Sequence, residues 1–402
     1  MAPPINPPLA KPRIQSVDAL RGLIMIIMAL DHVRDFISSA AFAFEPTDLS
    51  RTTAVLFFTR WITHFCAPVF AFTAGIGAFF YQQNGRTKPE LSRFLLTRGL
   101  WLVLLEFTVV RFLWLFQIRL QGSLVILLVF WMLGLCMIFL AGLIYIPVRV
   151  LAPLSLFAIA AHNLLDGIGP ARFGRFAPLW QIFHQPGGLP FHGGFLVIAY
   201  PLIPWTFVMA AGYCFGNVLR WDPARRRKFL LSAGTVCVIG FVLLRLLNHY
   251  GDPAPWSHQK SALFTFLSFL NATKYPPSLL FLLMTLGPAF VALAYLEKFN
   301  FSLSNPLIVF GRVPFFFFLF HIGFAHILYI ALNAIRYGWH PFLLLASPAF
   351  GTSLELFPPG FGYSLPVVYL VWITVVFVAY PLCRWYAELK QRRRDLWWLS
   401  YL

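Results

Sequence analysis

The polar groups with the most chemical potential lie close together: Asp31, His32, Arg34 and Asp35, in the run MIIMALDHVRDF. An imidazole can exchange a proton near neutral pH, and a carboxylate on one ring nitrogen leaves the other free to act as a base. Helical spacing puts Asp35 one turn along on the face of His32, while Asp31 neighbours Arg34 and Asp35. Asp35, or in second place Asp31, would then orient the ring. The competing reading is structural: an Asp31–Arg34 ion pair at the outer membrane interface, with His32 merely hydrogen-bonded. Arg60 and His64, four apart in TRWITHFCAPVF, share a face with Ala67 and are candidates to stabilise a developing oxyanion. The bland alternative has His64 donating to a carbonyl and Arg60 snorkelling outward. His321 and His326 are five apart and point in different directions; they read as core histidines, though one is a candidate to line a cavity. Glu106 and Arg111 read as a buried or interfacial pair. His32, Asp35 and His64 together offer metal-ligand types, but nothing resembles the HExxH spacing and no metal is expected.

The elements that carry these groups are membrane helices. Of the 402 residues 59% are apolar and 11% charged, and mean hydropathy is +0.74. Soluble domains are roughly 45–50% apolar and about 25% charged, so a soluble domain is excluded, and the apolar content excludes disorder. The expected fold class is all-α, a polytopic integral membrane protein with about ten transmembrane helices. The apolar blocks place them near 19–37, 55–81, 95–117, 123–144, 146–166, 194–219, 229–248, 276–296, 306–331 and 363–385. If Arg21 marks the inner interface, His32 lies roughly 16 Å further along the first helix, at or beyond the bilayer centre.

Basic residues set the orientation. With the N-terminus inside, the cytoplasmic segments hold about two thirds of the 31 Lys and Arg residues, which puts both termini in the cytoplasm. The net charge of +17 comes in short clusters beside apolar blocks, a pattern of membrane topology rather than nucleic-acid binding. The five cysteines all lie in apolar stretches without paired spacing. The Pro-rich start, residues 1–13, reads as a cytoplasmic tail in which no cleavable signal is expected. The outer loops 38–54, 167–193, 249–275 and 332–362 are long enough to roof a site, and they carry His184, His192, His249 and His258. There is no Gly-rich phosphate loop, no GxSxG elbow and no convincing internal repeat.

One pattern points to a family. SVDALRGLIMIIMALDH holds Asp18, Arg21, Gly22 and His32, with ten residues between Arg21 and His32. It resembles the first span of transmembrane acyltransferases, both those that O-acylate bacterial sugars and the heparan-α-glucosaminide N-acetyltransferase family. The chain is most similar to the bacterial branch of the latter, in DHVRDF, TRWITHFCAPVFAFTAG, KYPPSLLFLLMTLGP, FGRVPFFFFLFHI and the terminal WWLSYL. The lysosomal members differ: the His32 position resembles an asparagine there, and their important histidine falls in the next loop, where this chain has Ala43. The sugar O-acyltransferases support His32 instead.

The resemblance implies an acyl-CoA-dependent membrane acyltransferase at residues 14–385, followed by a basic cytoplasmic tail, 386–402. An acyl group, taken as acetyl, would pass from cytoplasmic acetyl-CoA to a hydroxyl or amine of a glycan or other small acceptor at the outer face. His32 would be the base, with Asp35 or Asp31 behind it and Arg60 or His64 at the oxyanion. The phosphates of CoA need a basic mouth, for which Arg86, Arg93 and Arg98 beside the third span, with Arg21, are the candidates. The expected setting is the inner membrane of a bacterium, with a homodimer among the states it admits. A rival reading is a proton-coupled transporter or channel built on the same Asp and His groups.

Overall fold

The computed structural model describes residues 14–117, 122–393, 395, 396 and 399. The expected tail 1–13, Arg394 and all of WWLSYL except Leu399 lie outside the described residues. Helix α1 spans Gln15–Ile37. Helix α2 spans Ala54–Gln83, with a 3₁₀ turn at Ile62–Phe65. Helix α3, Lys88–Leu105, starts at a Thr87–Glu90 capping box and continues through a π turn, Glu106–Val110, into Arg111–Leu115. Next come β1 (Leu124–Leu127), α4 (Val129–Leu143), α5 (Val148–Leu165), β2 (Gly187–Phe191), β3 (Gly194–Ile198) and α6 (Leu202–Phe215). The rest is α7 (Pro223–Leu247), α8 (Leu279–Leu296), α9 (Pro306–Arg312), α10 (Pro314–Tyr337) and α11 (Leu365–Arg392).

Seven helices among the described residues are long and apolar enough to cross a membrane. Three other segments expected to span are also helical but fall outside those limits. Helices α1 and α3 carry too many charged residues, and α4 is only 15 residues long.

The all-α expectation needs correction at two places. Segments 123–144 and 194–219 both begin as strands, and β1-β3-β2 form a small sheet, parallel between β1 and β3 and antiparallel between β2 and β3. Leu-Val-Ile-Leu and Phe-Leu-Val-Ile are short apolar runs that periodicity cannot separate from a helix end. The span expected at 306–331 is two helices, because Pro314 starts a new one after Val313 leaves helical geometry. The last helix runs past 385 to Arg392, and Tyr386 donates to the Leu399 carbonyl at 3.3 Å.

Glycines allow the helices to pack at close range. A Cβ on Gly22 of α1 would strike the Leu307 carbonyl of α9, and one on Gly311 of α9 would strike the Asp18 carbonyl. The same reciprocal contact joins Gly75 of α2 to Gly212 of α6, whose obstructing atoms are backbone of Met209 and Phe72. In lipid, where apolar surface gives no net drive to associate, such backbone approach supplies the packing energy. Because backbone cannot yield, Gly22→Leu is expected to destabilise the fold by about 3 kcal/mol. Thermal unfolding in detergent checks this, with Gly142→Ala, which meets nothing within 4 Å, as the unaffected control.

Candidate active site

Two neighbouring cavities with four wall residues in common lie along α1. The wider, about 430 Å³, is lined by Arg21, Arg98, Arg312 and Lys390 together with apolar and aromatic side chains. Four cations line it, and no carboxylate does among the described residues. Asp18 stands behind, 3.8 Å from Arg21 and 4.0 Å from Arg312, and Arg21 also donates to the Thr73 carbonyl. The narrower cavity, about 110 Å³, is lined by Asp31, His32, Asp35, Arg60, Lys274 and Tyr275, among others. Met28, Phe70, Val129 and Phe318 border both and separate one from the other.

His32 lines the narrow chamber, but its ring partner is not the expected carboxylate. Nδ1 of His32 lies 2.7 Å from Nε2 of His321, and Nδ1 of His321 lies 2.8 Å from the Phe317 carbonyl. A carbonyl only accepts, so in the neutral pair Nδ1 of His321 carries its proton and Nε2 accepts. Nδ1 of His32 is therefore the donor, which leaves Nε2 of His32 with the lone pair. Trp114 and Phe318 set their ring edges against the imidazole at centroid distances of 4.9 and 5.7 Å. His321 is fully buried and does not line the chamber. It does for His32 what Asp35 was expected to do.

The carboxylates are committed to arginines. Asp31 forms an ion pair with Arg34 at 2.8 Å and accepts from Arg60 at 2.7 and 2.8 Å and from the Thr63 hydroxyl at 2.9 Å. Asp35 accepts from Arg34 at 2.6 Å. Arg34 thus bridges both acids. Asp31 anchors a buried charge network rather than orienting His32, and Arg60 is held by Asp31 rather than snorkelling outward. The 3₁₀ turn in α2 explains why His64 departs from its expected position. At about three residues per turn it brings Arg60 and Thr63 together on Asp31 and swings His64 off that face. His64 is buried against Phe281, at a centroid distance of 5.4 Å, and does not line the chamber.

Of the basic residues expected at the wide cavity, Arg21 and Arg98 line it and Arg86 and Arg93 do not. Arg93 is exposed, and Arg86, also exposed, pairs with Glu90 at 3.3 Å beside the helix cap. Arg312 and Lys390 take their place; in the sequence both had counted only toward topology. Glu106 and Arg111, expected as a pair, serve backbone groups. Glu106 accepts from the Phe130 and Trp131 amides at 2.9 Å, and Arg111 donates to the Leu124 carbonyl. His326 packs on Phe116 and meets the Leu113 carbonyl at 2.7 Å, as a core histidine does.

Sequence reasoning also missed Lys274, Tyr275 and Tyr200 in the narrow chamber. Lys274 and Tyr275 open the KYPPSLL run and read as the edge of an outer loop. Ser347 ties another outer loop to the chamber by donating to the Asp35 carbonyl at 2.6 Å, and Phe350 of that loop lines the chamber. Among the described residues no group of three or more His, Cys, Asp or Glu side chains is arranged to hold a metal ion.

No curated protein matches the chain. A sequence model of the catalytic region of heparan-alpha-glucosaminide N-acetyltransferase matches residues 13–245, which include α1 with His32, Arg60 and Arg98. His321, Lys274, Arg312 and Lys390 come from the part of the chain beyond the match. A match over more than half of the chain, together with a helical membrane architecture, settles its membership: the chain belongs to the heparan-alpha-glucosaminide N-acetyltransferase catalytic family.

Proposed function

We propose that this is an acyl-CoA-dependent membrane acyltransferase that moves an acyl group, in the simplest case acetyl, to a hydroxyl or amine of a glycan or similar small acceptor. One observation carries the reading: a cation-lined cavity shares the apolar residues Met28, Phe70, Val129 and Phe318 with a chamber that holds a histidine with a free ring nitrogen. These four would form the neck that the donor threads. CoA has the matching shape, a highly charged phosphate end and a long thin arm ending in the thioester. Arg21, Arg98, Arg312 and Lys390 would take the phosphates, and the arm would pass Phe70 and Val129 toward His32. The wide cavity lies at the Arg21 end of α1, and the distribution of basic residues supports placing that end on the cytoplasmic side, in this reading of a bacterial inner membrane. The acceptor would enter from the other face, under the loop that carries Phe350.

In the chemical step Nε2 of His32 removes the acceptor proton as oxygen or nitrogen attacks the thioester carbonyl, a role typically worth 10²–10⁴ in rate. The proton then passes to the departing thiolate. His321 acts through His32, holding the ring by its Nδ1 proton. The test is release of free thiol from acetyl-CoA by purified protein with envelope glycans as acceptor. Acceptor-dependent release supports the reading; solute flux in liposomes with no acyl-CoA dependence would replace it with transport.

The mouth gives a separate prediction. Arg98→Gln combined with Lys390→Gln removes two phosphate-facing charges, each worth roughly tenfold in affinity. Acyl-CoA affinity, measured by calorimetry, is expected to fall by about a hundredfold. Arg86→Gln with Arg93→Gln should leave it unchanged, because neither side chain lines the cavity.

A further inference from the structure

Acyl transfer of this kind places negative charge on the thioester carbonyl oxygen, and the two groups first expected to meet it are engaged elsewhere. Arg60 is clamped to Asp31, and His64 faces Phe281. Lys274 is the remaining cation that lines the narrow chamber. It is more than nine-tenths buried, and no carboxylate pairs with it among the described residues, since Asp31 and Asp35 are bound by Arg34 and Arg60. Its Nζ lies 5.1 Å from the centre of the Tyr275 ring, and the Tyr275 hydroxyl lies 3.4 Å from that of Tyr200. Both tyrosines also line the chamber. The carboxylates of Asp31 and Asp35 are thus taken up by Arg34 and Arg60, and Lys274 stands outside these ion pairs.

The segment that holds Lys274 is fixed in place. Asp252 accepts from the Thr273 amide and hydroxyl, both at 2.8 Å, and from the Ser278 hydroxyl at 2.7 Å, bracing the loop on either side of Lys274 and Tyr275. A cation held in place in a narrow cavity costs little reorganisation when charge develops beside it, the condition that favours such stabilisation.

We propose that Lys274, assisted by the Tyr275 hydroxyl, is the oxyanion-stabilising catalytic group of this chamber. The inference rests on the acyltransfer reading. As the acceptor's lone pair bonds to the carbonyl carbon, the C=O π pair moves onto oxygen next to the Lys274 ammonium, and Nε2 of His32 takes the acceptor proton. Collapse re-forms the C=O bond and breaks C–S, and the thiolate leaves with the proton from His32. The products are acylated acceptor and free CoA thiol.

The test is steady-state kinetics of Lys274→Met, Lys274→Gln and Lys274→Arg in the full chain, with acetyl-CoA affinity and thermal unfolding measured on each. Lys274→Met is expected to lower kcat by about 10²–10³, the cost of one oxyanion donor, with acceptor KM and acetyl-CoA Kd within a few-fold of wild type. Lys274→Gln should lose nearly as much, and Lys274→Arg should regain part. Retained kcat in Lys274→Met would overturn the proposal. So would a rise confined to the KM of anionic acceptors, which would make Lys274 an acceptor-binding group. Failure of all three variants to insert would assign Lys274 to the fold. A wild-type protein that releases no thiol would sink the acyltransfer reading and this proposal with it, whereas active wild type with active Lys274→Met sinks the proposal alone.

Discussion

His32→Ala is expected to lower the rate of acyl transfer by about 10²–10⁴ while acyl-CoA still binds, because a general base acts in the transition state and not in docking the donor. In the proposed arrangement the donor's charged end would bind in the other cavity, whose lining lacks His32, so the two effects are separable on one preparation. His32→Gln keeps a polar group in the chamber but cannot take a proton, and should fail almost as badly. His321→Ala should cost less, since the base remains but is no longer held by its Nδ1 proton. Asp35→Asn should have a smaller effect than His321→Ala, because Asp35 pairs with Arg34 and makes no hydrogen bond to His32 among the described residues. Transfer rate and acyl-CoA affinity measured side by side check the series. If His32→Gln keeps most of its activity, His32 is not the base.

Asp31→Ala is expected to fail differently, through the fold. Arg34 and Arg60 are both largely buried, and Asp31 is the carboxylate they share. Removing one member of a buried ion network leaves charge without compensation in a low-dielectric interior, a loss of about 3–5 kcal/mol. In detergent this should appear as poor yield and a much lower Tm. Asp31→Asn, which keeps the accepting oxygen and loses the charge, should fall between. Adding Arg60→Met to Asp31→Ala removes one stranded cation and should recover part of the stability. If Asp31→Ala unfolds at the wild-type temperature yet transfers nothing, Asp31 belongs to the chemistry and the structural assignment is wrong.

The contrast between these two residues shows where sequence reasoning stops. Hydropathy marks the long helices well, because lipid demands unbroken apolar runs with satisfied backbone. The depth of His32 follows from counting residues beyond Arg21 on one helix. What His32 touches does not follow, since that depends on how α10 crosses α1. His321 is 289 residues away, and its spacing from His326 shows only that the two point apart. The placement of His64 outside the chamber was not legible because four-residue spacing assumes an α-helix throughout, and a 3₁₀ turn intervenes. Arg312 and Lys390 were hidden by their plausibility as topology signals: a basic residue at a helix end is consistent with orientation and with ligand binding alike. Lys274 was hidden in the same way at an outer loop. The strands of the small sheet left no periodic signal in runs of four or five residues.

The most direct test of the two-chamber account is a cryo-EM structure of the full chain with a non-hydrolysable acyl-CoA analogue. The account predicts density for the phosphates among Arg21, Arg98, Arg312 and Lys390, and for the arm through the neck at Phe70 and Val129. It also predicts the acyl carbonyl in the narrow chamber between His32 and Lys274. An analogue bound outside these cavities, or with its acyl end directed away from His32, would contradict it.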